Sequence, residues 1–223
     1  MNATTQASVD GRSARWARHR EQRRAELLDV ARHLIHERGP DVTMEDIAAA
    51  SGTSKSIVYR YFEDKSNLQL TLGRSILRAM HEKLLEEMRG LEERSGRDPE
   101  PEERIHAMIR AYVETAQRSP GVYRFITRPS DGLNHFLAAV TRLVATFLPG
   151  TTPSPQIWAA GAVGFVERSV DTWMTALETD ARNDPEIDPE IDPETGTDAG
   201  STPLTSDQLV THLVTWLMKG LHA

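Results

Sequence analysis

The 223-residue sequence predicts an all-α fold with a three-helix N-terminal unit, residues 16–64, and a larger helical domain, residues 65–223. Three observations predict this fold. Apolar residues recur at helical spacing along most of the chain. No segment alternates apolar and polar residues between hairpin turns, as strands would. Two short helical patterns flank a turn at Gly52, which is the layout of a helix-turn-helix.

The first helix is predicted between a tail and a clear stop signal. Residues 1–15 are small and polar, and we expect a disordered tail there. The helix that follows has its apolar face at Leu27, Leu28, Ala31, Leu34 and Ile35. Gly39 and Pro40 end it, because glycine suits the left-handed position after a helix and proline does not continue one.

Two short helices and one long helix come next. Thr43 is predicted to cap the second helix, with Asp46 placed well against the dipole of its first turn. The third helix starts near Ser54 and runs through Phe62. Asp64 is predicted to cap a long fourth helix.

The C-terminal domain is predicted from five further helical segments, at 102–118, 122–127, 133–148, 156–177 and 204–221. The segment 156–177 is apolar almost all round, so we expect it to be buried. Between the last two helices lies an acidic loop, 179–203, which we expect to be disordered because it combines repeated prolines with high charge. A role for this loop as a decoy for a basic surface is the alternative.

Composition and charge limit the class of protein. Hydrophobic residues make up 39% of the chain and charged residues 26%, and there is no cysteine. We therefore expect a globular cytoplasmic protein without disulfides or thiolate chemistry. No apolar run approaches the ~20 residues of a membrane span, and no apolar leader begins the chain, so no membrane association is expected.

The net charge of −7 is unevenly distributed. The acidic loop 179–203 accounts for all of it, so the rest of the chain is neutral overall. Residues 11–24 carry six arginines and one glutamate. Since local charge decides the attraction to a phosphate backbone, this stretch, and Arg20 within it, is a candidate contact to nucleic acid.

The third helix has the side chains of a recognition helix. Lys55 is suited to a guanine edge in the major groove, and the short side chains of Ser54 and Ser56 flank it at the helix N-terminus, where the helix dipole favours a phosphate. Tyr59 and Tyr61 carry hydroxyls on rigid arms, which suit phosphate oxygens. Periodicity alone leaves open a helical turn with no role in binding DNA.

The sequence resembles a known family over residues 20–70. The matching runs are RAELLDVA from Arg24, ERG from Glu37, TMEDIA from Thr43, GTSK from Gly52 and VYRYFEDKSNL from Val58. They resemble the DNA-binding domain of the tetracycline-repressor (TetR) family. The resemblance implies phosphate contacts from Thr43, Tyr59, Tyr61 and Lys65, and base contacts from Ser54, Lys55 and Ser56.

The resemblance also implies a homodimer whose last two long helices form a four-helix bundle with the partner. Ala160, Gly161 and Gly164 allow close helix approach. Large apolar side chains for this interface are Trp173, Leu177, Leu213, Trp216 and Leu217, although some of them are expected to build the subunit's own core. Dimerisation also agrees with a helix-turn-helix that must reach two successive major grooves of a palindromic operator.

The family's C-terminal domain binds a small effector, and we expect a pocket among the helices that span 101–177. Its candidate walls are Met108, Tyr112, Tyr123, Phe125, Phe136, Val163 and Phe165, each of which is also suited to ordinary core packing. Glu167 and Arg168 are candidates to orient a polar head group. The helix from Trp158 to Met174 is similar to regulators of lipid metabolism, which suggests a fatty acid or acyl-CoA effector that releases a repressor from DNA.

Two other classes of protein are disfavoured. The acidic pairs, such as Glu45-Asp46, are adjacent in sequence and diverge on a helix, so an enzyme is not indicated. His33 and His36 have the spacing of two metal ligands but no third ligand nearby, so no metal or cofactor is expected. Leucines recur every seven residues from Leu70, but the alternate core positions are mixed, which disfavours a zipper protein.

Overall fold

A computed structural model describes residues 3–148, 150, 154–182 and 204–221. These residues form nine α helices and no strand, which confirms the all-α prediction. The helices are α1 (Ala3–Arg38), α2 (Met44–Ala50), α3 (Lys55–Phe62), α4 (Lys65–Ser95), α5 (Pro101–Arg118), α6 (Pro120–Thr127), α7 (Asp131–Phe147), α8 (Pro155–Arg182) and α9 (Ser206–Leu221).

The N-terminal helices begin and end largely where their local signals predict. Gly39 follows α1 in a left-handed conformation, with φ of 87°. Thr43 caps α2, and the Asp64 carboxylate accepts a hydrogen bond of 2.7 Å from Asn67 N in the first turn of α4. The start of α1 differs from the prediction of a disordered tail over 1–15. The helix extends back to Ala3, through a stretch that contains no proline to stop it.

The described chain divides into two compact units. Unit 1 comprises Met1–Ile76 and Gly121–Phe136, and unit 2 comprises Leu77–Pro120 and Leu137–Ala223. The sequence predicted a boundary after residue 64. The structure instead places the first part of α4 and the segment from α6 into α7 with the helix-turn-helix.

Unit 1 is held together by an apolar core and by one buried amide. Its fully buried side chains include Leu27, Ile35, Ile47, Val58, Phe62, Leu68 and Leu72. Gln69 is only 6% exposed, and its Nε2 donates hydrogen bonds to the carbonyls of Ile126 and Arg128. The Gln69 amide therefore ties α4 to the connection between α6 and α7.

Unit 2 is built around α5, which packs on α8 and α9. Trp173 and Leu213, which were expected to contribute to a dimer interface, are buried in the subunit's own core. The Trp173 indole donates a hydrogen bond of 2.7 Å to the Leu204 carbonyl. Trp216 is 55% exposed.

Helix α8 is not buried all round, contrary to the prediction from its apolar composition. Ala159, Ala162, Val166 and Val170 face the core, while Ile157 and Phe165 are exposed. The helix also continues to Arg182, so the first residues of the predicted acidic loop are helical. The rest of that loop, 183–203, lies outside the described residues. No helix among the described residues is long and apolar enough to cross a membrane.

Candidate nucleic-acid interface

The predicted recognition helix, α3, is positioned by its apolar side. Val58 and Phe62 are fully buried, and together they anchor α3 in the core of unit 1. Ser54, Lys55 and Ser56 are exposed at the N-terminus of α3. The hydroxyls of Ser54 and Ser56 are 2.9 Å apart and share a hydrogen bond. The three predicted base-reading residues are therefore adjacent and exposed.

Lys55 is held by two neighbouring side chains. Its ammonium forms an ion pair with the Glu45 carboxylate of α2, and it lies 5.5 Å from the centre of the Tyr59 ring. The hydrogen bond from Lys55 lowers the pKa of Glu45, and the same bond raises the pKa of Lys55. Both groups are therefore charged at neutral pH, and the ion pair connects the two helices of the helix-turn-helix.

The Thr43 side chain is also engaged. Its hydroxyl accepts a hydrogen bond from Asp46 N (3.1 Å) and donates one to Asp46 Oδ2 (2.6 Å). The Thr43 backbone N–H donates to the same carboxylate oxygen, at 2.9 Å. These bonds form a capping box that fixes the start of α2. They also lower the pKa of Asp46, the hydroxyl bond being the largest cause.

Lys65 lies at the N-terminus of α4 and is half-buried. Its Nζ is 5.5 Å from the centre of the Phe125 ring. Burial lowers the pKa of Lys65, and the nearby positive charge of Arg128 adds to that effect, while Asp41 and Asp46 oppose it. The ammonium of Lys65 is therefore partly held against α6.

The remaining predicted contacts are placed on α1 and α3. Tyr59 and Tyr61 are half-buried on α3, and the Arg60 guanidinium lies 5.8 Å from the Tyr61 ring centre. Arg20 is exposed on α1. Its neighbour Arg24 instead donates a hydrogen bond of 3.1 Å to Thr71 Oγ1, which joins α1 to α4.

Sequence reasoning missed two groups at this surface. Glu45 pairs with Lys55 across the turn between α2 and α3, a contact between two helices that was not predicted from the sequence. Arg128 was not considered. Its Nη2 lies 2.8 Å from Asp41 Oδ1, in the connection before α2, and the two residues are 87 positions apart. No local signal in the sequence indicates a contact at that separation.

Comparisons with known proteins identify the family of this chain. The family model for bacterial regulatory proteins of the tetR family matches residues 27–71. An HTH-type transcriptional regulator of Mycobacterium tuberculosis is 31% identical over 179 residues, which cover 75% of this chain and 74% of that protein. The chain belongs to the TetR family. TetR-family proteins are transcriptional regulators rather than enzymes, and they bind operator DNA as dimers.

Solved structures of TetR-like regulators share the fold. The fatty acid degradation regulator FadR from Bacillus halodurans aligns with a TM-score of 0.56 and 16% identity, over 89% of this chain and 95% of that one. A tetR-family transcriptional regulator from Streptomyces coelicolor aligns with a TM-score of 0.54 and 18% identity, over 88% and 83% of the two chains. The helix order found here is therefore that of the TetR fold.

The residues predicted to line an effector pocket fall in both units. Tyr123, Phe125 and Phe136 are buried in unit 1, where Phe136 lies against Gly73. The other six lie in unit 2: Met108, Tyr112, Val163 and Glu167 are partly buried, whereas Phe165 and Arg168 are exposed. Burial raises the pKa of the Glu167 carboxyl.

A groove of about 660 Å³ lies between α4 and α5 in unit 2. It is lined mainly by charged side chains, including Lys83, Glu87 and Arg110, and by none of the nine predicted pocket residues. Lys83 and Arg110 bridge to Glu87 and Glu114, with the shortest pair, Lys83 to Glu114, at 2.9 Å. Within the described part of the chain, no three His, Asp or Glu side chains are placed to hold a metal ion.

Proposed function

We propose that this TetR-family regulator binds a palindromic operator through α2 and α3 and represses transcription from it. The observation that carries the proposal is the exposed polar N-terminus of α3, anchored in the core by Val58 and Phe62. Ser54, Lys55 and Ser56 contact bases, and the phosphates are contacted by Arg20, Thr43, Tyr59, Tyr61 and Lys65. An ammonium and hydroxyls are the donors that these two kinds of contact require.

The dimer is proposed to form through α8 and α9. Ile157 is 74% exposed on α8. Phe165 and Trp216, from α8 and α9, meet edge to face with ring centres 5.9 Å apart, and both are exposed. No side chain of the described residues lies within 4 Å of a β-carbon built at Gly161 or Gly164, so the same face is open to close approach. An exposed apolar face of this kind indicates an interface with a partner.

The effector is proposed to be a small hydrophobic molecule, with fatty acids and acyl-CoAs as the first candidates. It binds among the helices of unit 2, where α5 and α8 pack together and carry Met108, Tyr112, Val163 and Glu167. Helix α4 connects this unit to the DNA-binding unit, because its residues to Ile76 belong to unit 1 and the rest to unit 2. The effector lowers operator affinity by binding the DNA-free conformation more tightly.

Fluorescence anisotropy tests the DNA-binding proposal. The purified protein is titrated onto labelled DNA that flanks its own gene, across a salt series, with Lys55→Ala and Tyr59→Phe beside the wild type. We expect saturable binding that resists excess unrelated DNA and weakens linearly in the logarithm of salt concentration. Lys55→Ala is expected to lose roughly 10-fold or more in affinity and to discriminate less between sequences.

The outcomes of this assay separate the DNA-binding role, the position of the operator and the effector mechanism. Failure to bind any duplex at low salt contradicts a DNA-binding role for α2 and α3. Equal binding to flanking and unrelated DNA, with the same salt dependence, shows that the operator lies elsewhere.

The same assay then screens fatty acids and acyl-CoAs for release of the protein from DNA. Operator affinity that is undiminished by a ligand shown to bind the protein contradicts the effector mechanism.

A further inference from the structure

Arg128 lies outside the helix-turn-helix in sequence, in the connection between α6 and α7, yet it belongs to unit 1. Its backbone is fixed by Gln69 of α4, whose Nε2 donates to the carbonyls of Arg128 (2.8 Å) and Ile126 (3.0 Å). Ser130 Oγ donates a hydrogen bond of 2.5 Å to Gln69 Oε1, so both ends of the Gln69 amide are hydrogen-bonded to the α6–α7 connection. The position from which the Arg128 side chain extends is therefore determined by a buried hydrogen-bonded amide.

The Arg128 side chain reaches the surface that precedes α2. Its guanidinium pairs with Asp41, 2.8 Å away, and Asp41 is 87% exposed. Two residues further along is Thr43, a predicted phosphate contact. Lys65, another predicted phosphate contact, lies against Phe125 at the end of α6, three residues before Arg128. Arg128 is thus a cation close to two of the groups that are expected to bind the DNA backbone.

Three donors at this surface share one arrangement. Lys55 is held by Glu45, the Thr43 hydroxyl by Asp46, and Arg128 by Asp41. A carboxylate accepts the same hydrogen bonds that a phosphate or a base edge accepts. In two of the three pairs the donor is a predicted DNA contact, and each acid comes from the short segment 41–46. The third pair has the same chemistry and the same source of the acid.

We propose that Arg128 is a further contact to the DNA backbone, supplied to the helix-turn-helix by the α6–α7 connection. Asp41 holds its guanidinium in the free protein and gives way to a phosphate when the duplex binds. The inference rests on the proposed DNA-binding function. Five N–H donors in a planar fork suit Arg128 to either partner.

The test measures anisotropy of the full-length protein on a short labelled duplex of mixed sequence, because a phosphate contact does not need the operator. Arg128→Gln is expected to weaken binding several-fold and to reduce the slope of log affinity against log salt by about one for each bound subunit. Asp41→Asn is expected to tighten binding, since it frees Arg128. Arg142→Gln, an exposed arginine of α7 in unit 2, is the matched control and is expected to leave both quantities unchanged.

The outcomes separate this inference from the proposed function. A wild-type protein that binds no duplex at low salt contradicts the proposed function itself. Wild-type affinity and slope in Arg128→Gln contradict only the role of Arg128. The role of Arg128 is also contradicted if Asp41→Asn weakens DNA binding as much as Arg128→Gln does. In that case the ion pair acts by shaping the segment before α2. If Arg128→Gln does not fold, Arg128→Met, which keeps much of the length of the side chain without its charge, replaces it, and wild-type affinity and slope in that variant contradict the role of Arg128.

Discussion

The lysine at the N-terminus of α3 forms an ion pair with an acid of α2. Glu45 accepts from Lys55 across the turn between α2 and α3. Both side chains remain more than half exposed, at 51% and 57%, so water competes with the pair. We therefore expect a guanine edge or a phosphate that binds Lys55 to replace the Glu45 carboxylate, and we expect Glu45 to repel the phosphates of DNA.

Substitution of Glu45 by glutamine is expected to raise affinity for duplex DNA a few-fold, because it removes both the competing acceptor and the repulsion of phosphates. Since Lys55 keeps the pKa of Glu45 below its ordinary value, the wild-type carboxylate stays ionised, and the difference should persist throughout the neutral pH range. Anisotropy on operator and unrelated duplexes measures it. Glu82→Gln, an exposed acid on α4, is the control. A weaker Glu45→Gln variant would show that Glu45 orients Lys55 rather than opposing DNA.

Contacts between helices in unit 1 depend on glycine where two backbones approach closely. A β-carbon at Gly121 of α6 would lie 2.5 Å from the Ile35 carbonyl oxygen of α1 and 3.1 Å from Gly39 Cα. Backbone atoms on both sides leave no flexible group to move aside. Gly121 therefore sets the distance between α6 and the end of α1, and it helps to hold the α6–α7 segment in the DNA-binding unit.

The substitution Gly121→Ala is expected to destabilise the protein by about 1–3 kcal/mol, because α6 must shift to relieve the overlap. Urea unfolding followed by circular dichroism measures the change. Gly90→Ala in α4 is the matched control, since its β-carbon meets only the end of the flexible Arg94 side chain. Because alanine has a higher helix propensity than glycine, Gly90→Ala is expected to stabilise the protein by at most about 1 kcal/mol. A similar gain in Gly121→Ala would contradict the close approach.

At the scale of the whole molecule, the packing of unit 2 bears on the proposed dimer. Once α5, α8 and α9 have buried their core side chains, Ile157, Phe165 and Trp216 are left exposed. Such side chains are worth roughly 1.5–3 kcal/mol each when they become fully buried. Their position on α8 and α9 agrees with the bundle that the family resemblance implies.

The Trp216→Glu variant is expected to be predominantly monomeric, because it places a charge in the proposed interface while leaving the core of unit 2 intact. Light scattering after size-exclusion chromatography measures the mass, and circular dichroism checks the helix content. Leu85→Glu is the matched control, since Leu85 is a 42% exposed apolar residue on α4. A dimeric Trp216→Glu variant would place the interface elsewhere. A monomeric wild type would contradict the proposed dimer.

The local features of this protein were readable from its sequence. The stop at Gly39, the cap at Thr43 and the start of α3 at Ser54 depend on hydrogen bonds and backbone conformations within about four residues of each other, so residue types at fixed spacing determine them. The exposed donors of α3 follow from the same periodicity, because burial of Val58 and Phe62 leaves the opposite side to water.

Other features were decided only by the tertiary structure. The pair of Arg128 with Asp41, the bonds of Gln69 to the α6–α7 connection, and the inclusion of 121–136 in the DNA-binding unit join residues that are more than 50 positions apart. The exposure of one side of α8 was likewise missed, because its composition is apolar on all sides. Contacts of this kind arise when whole helices pack, and packing depends on the shapes of both partners rather than on the spacing within either one.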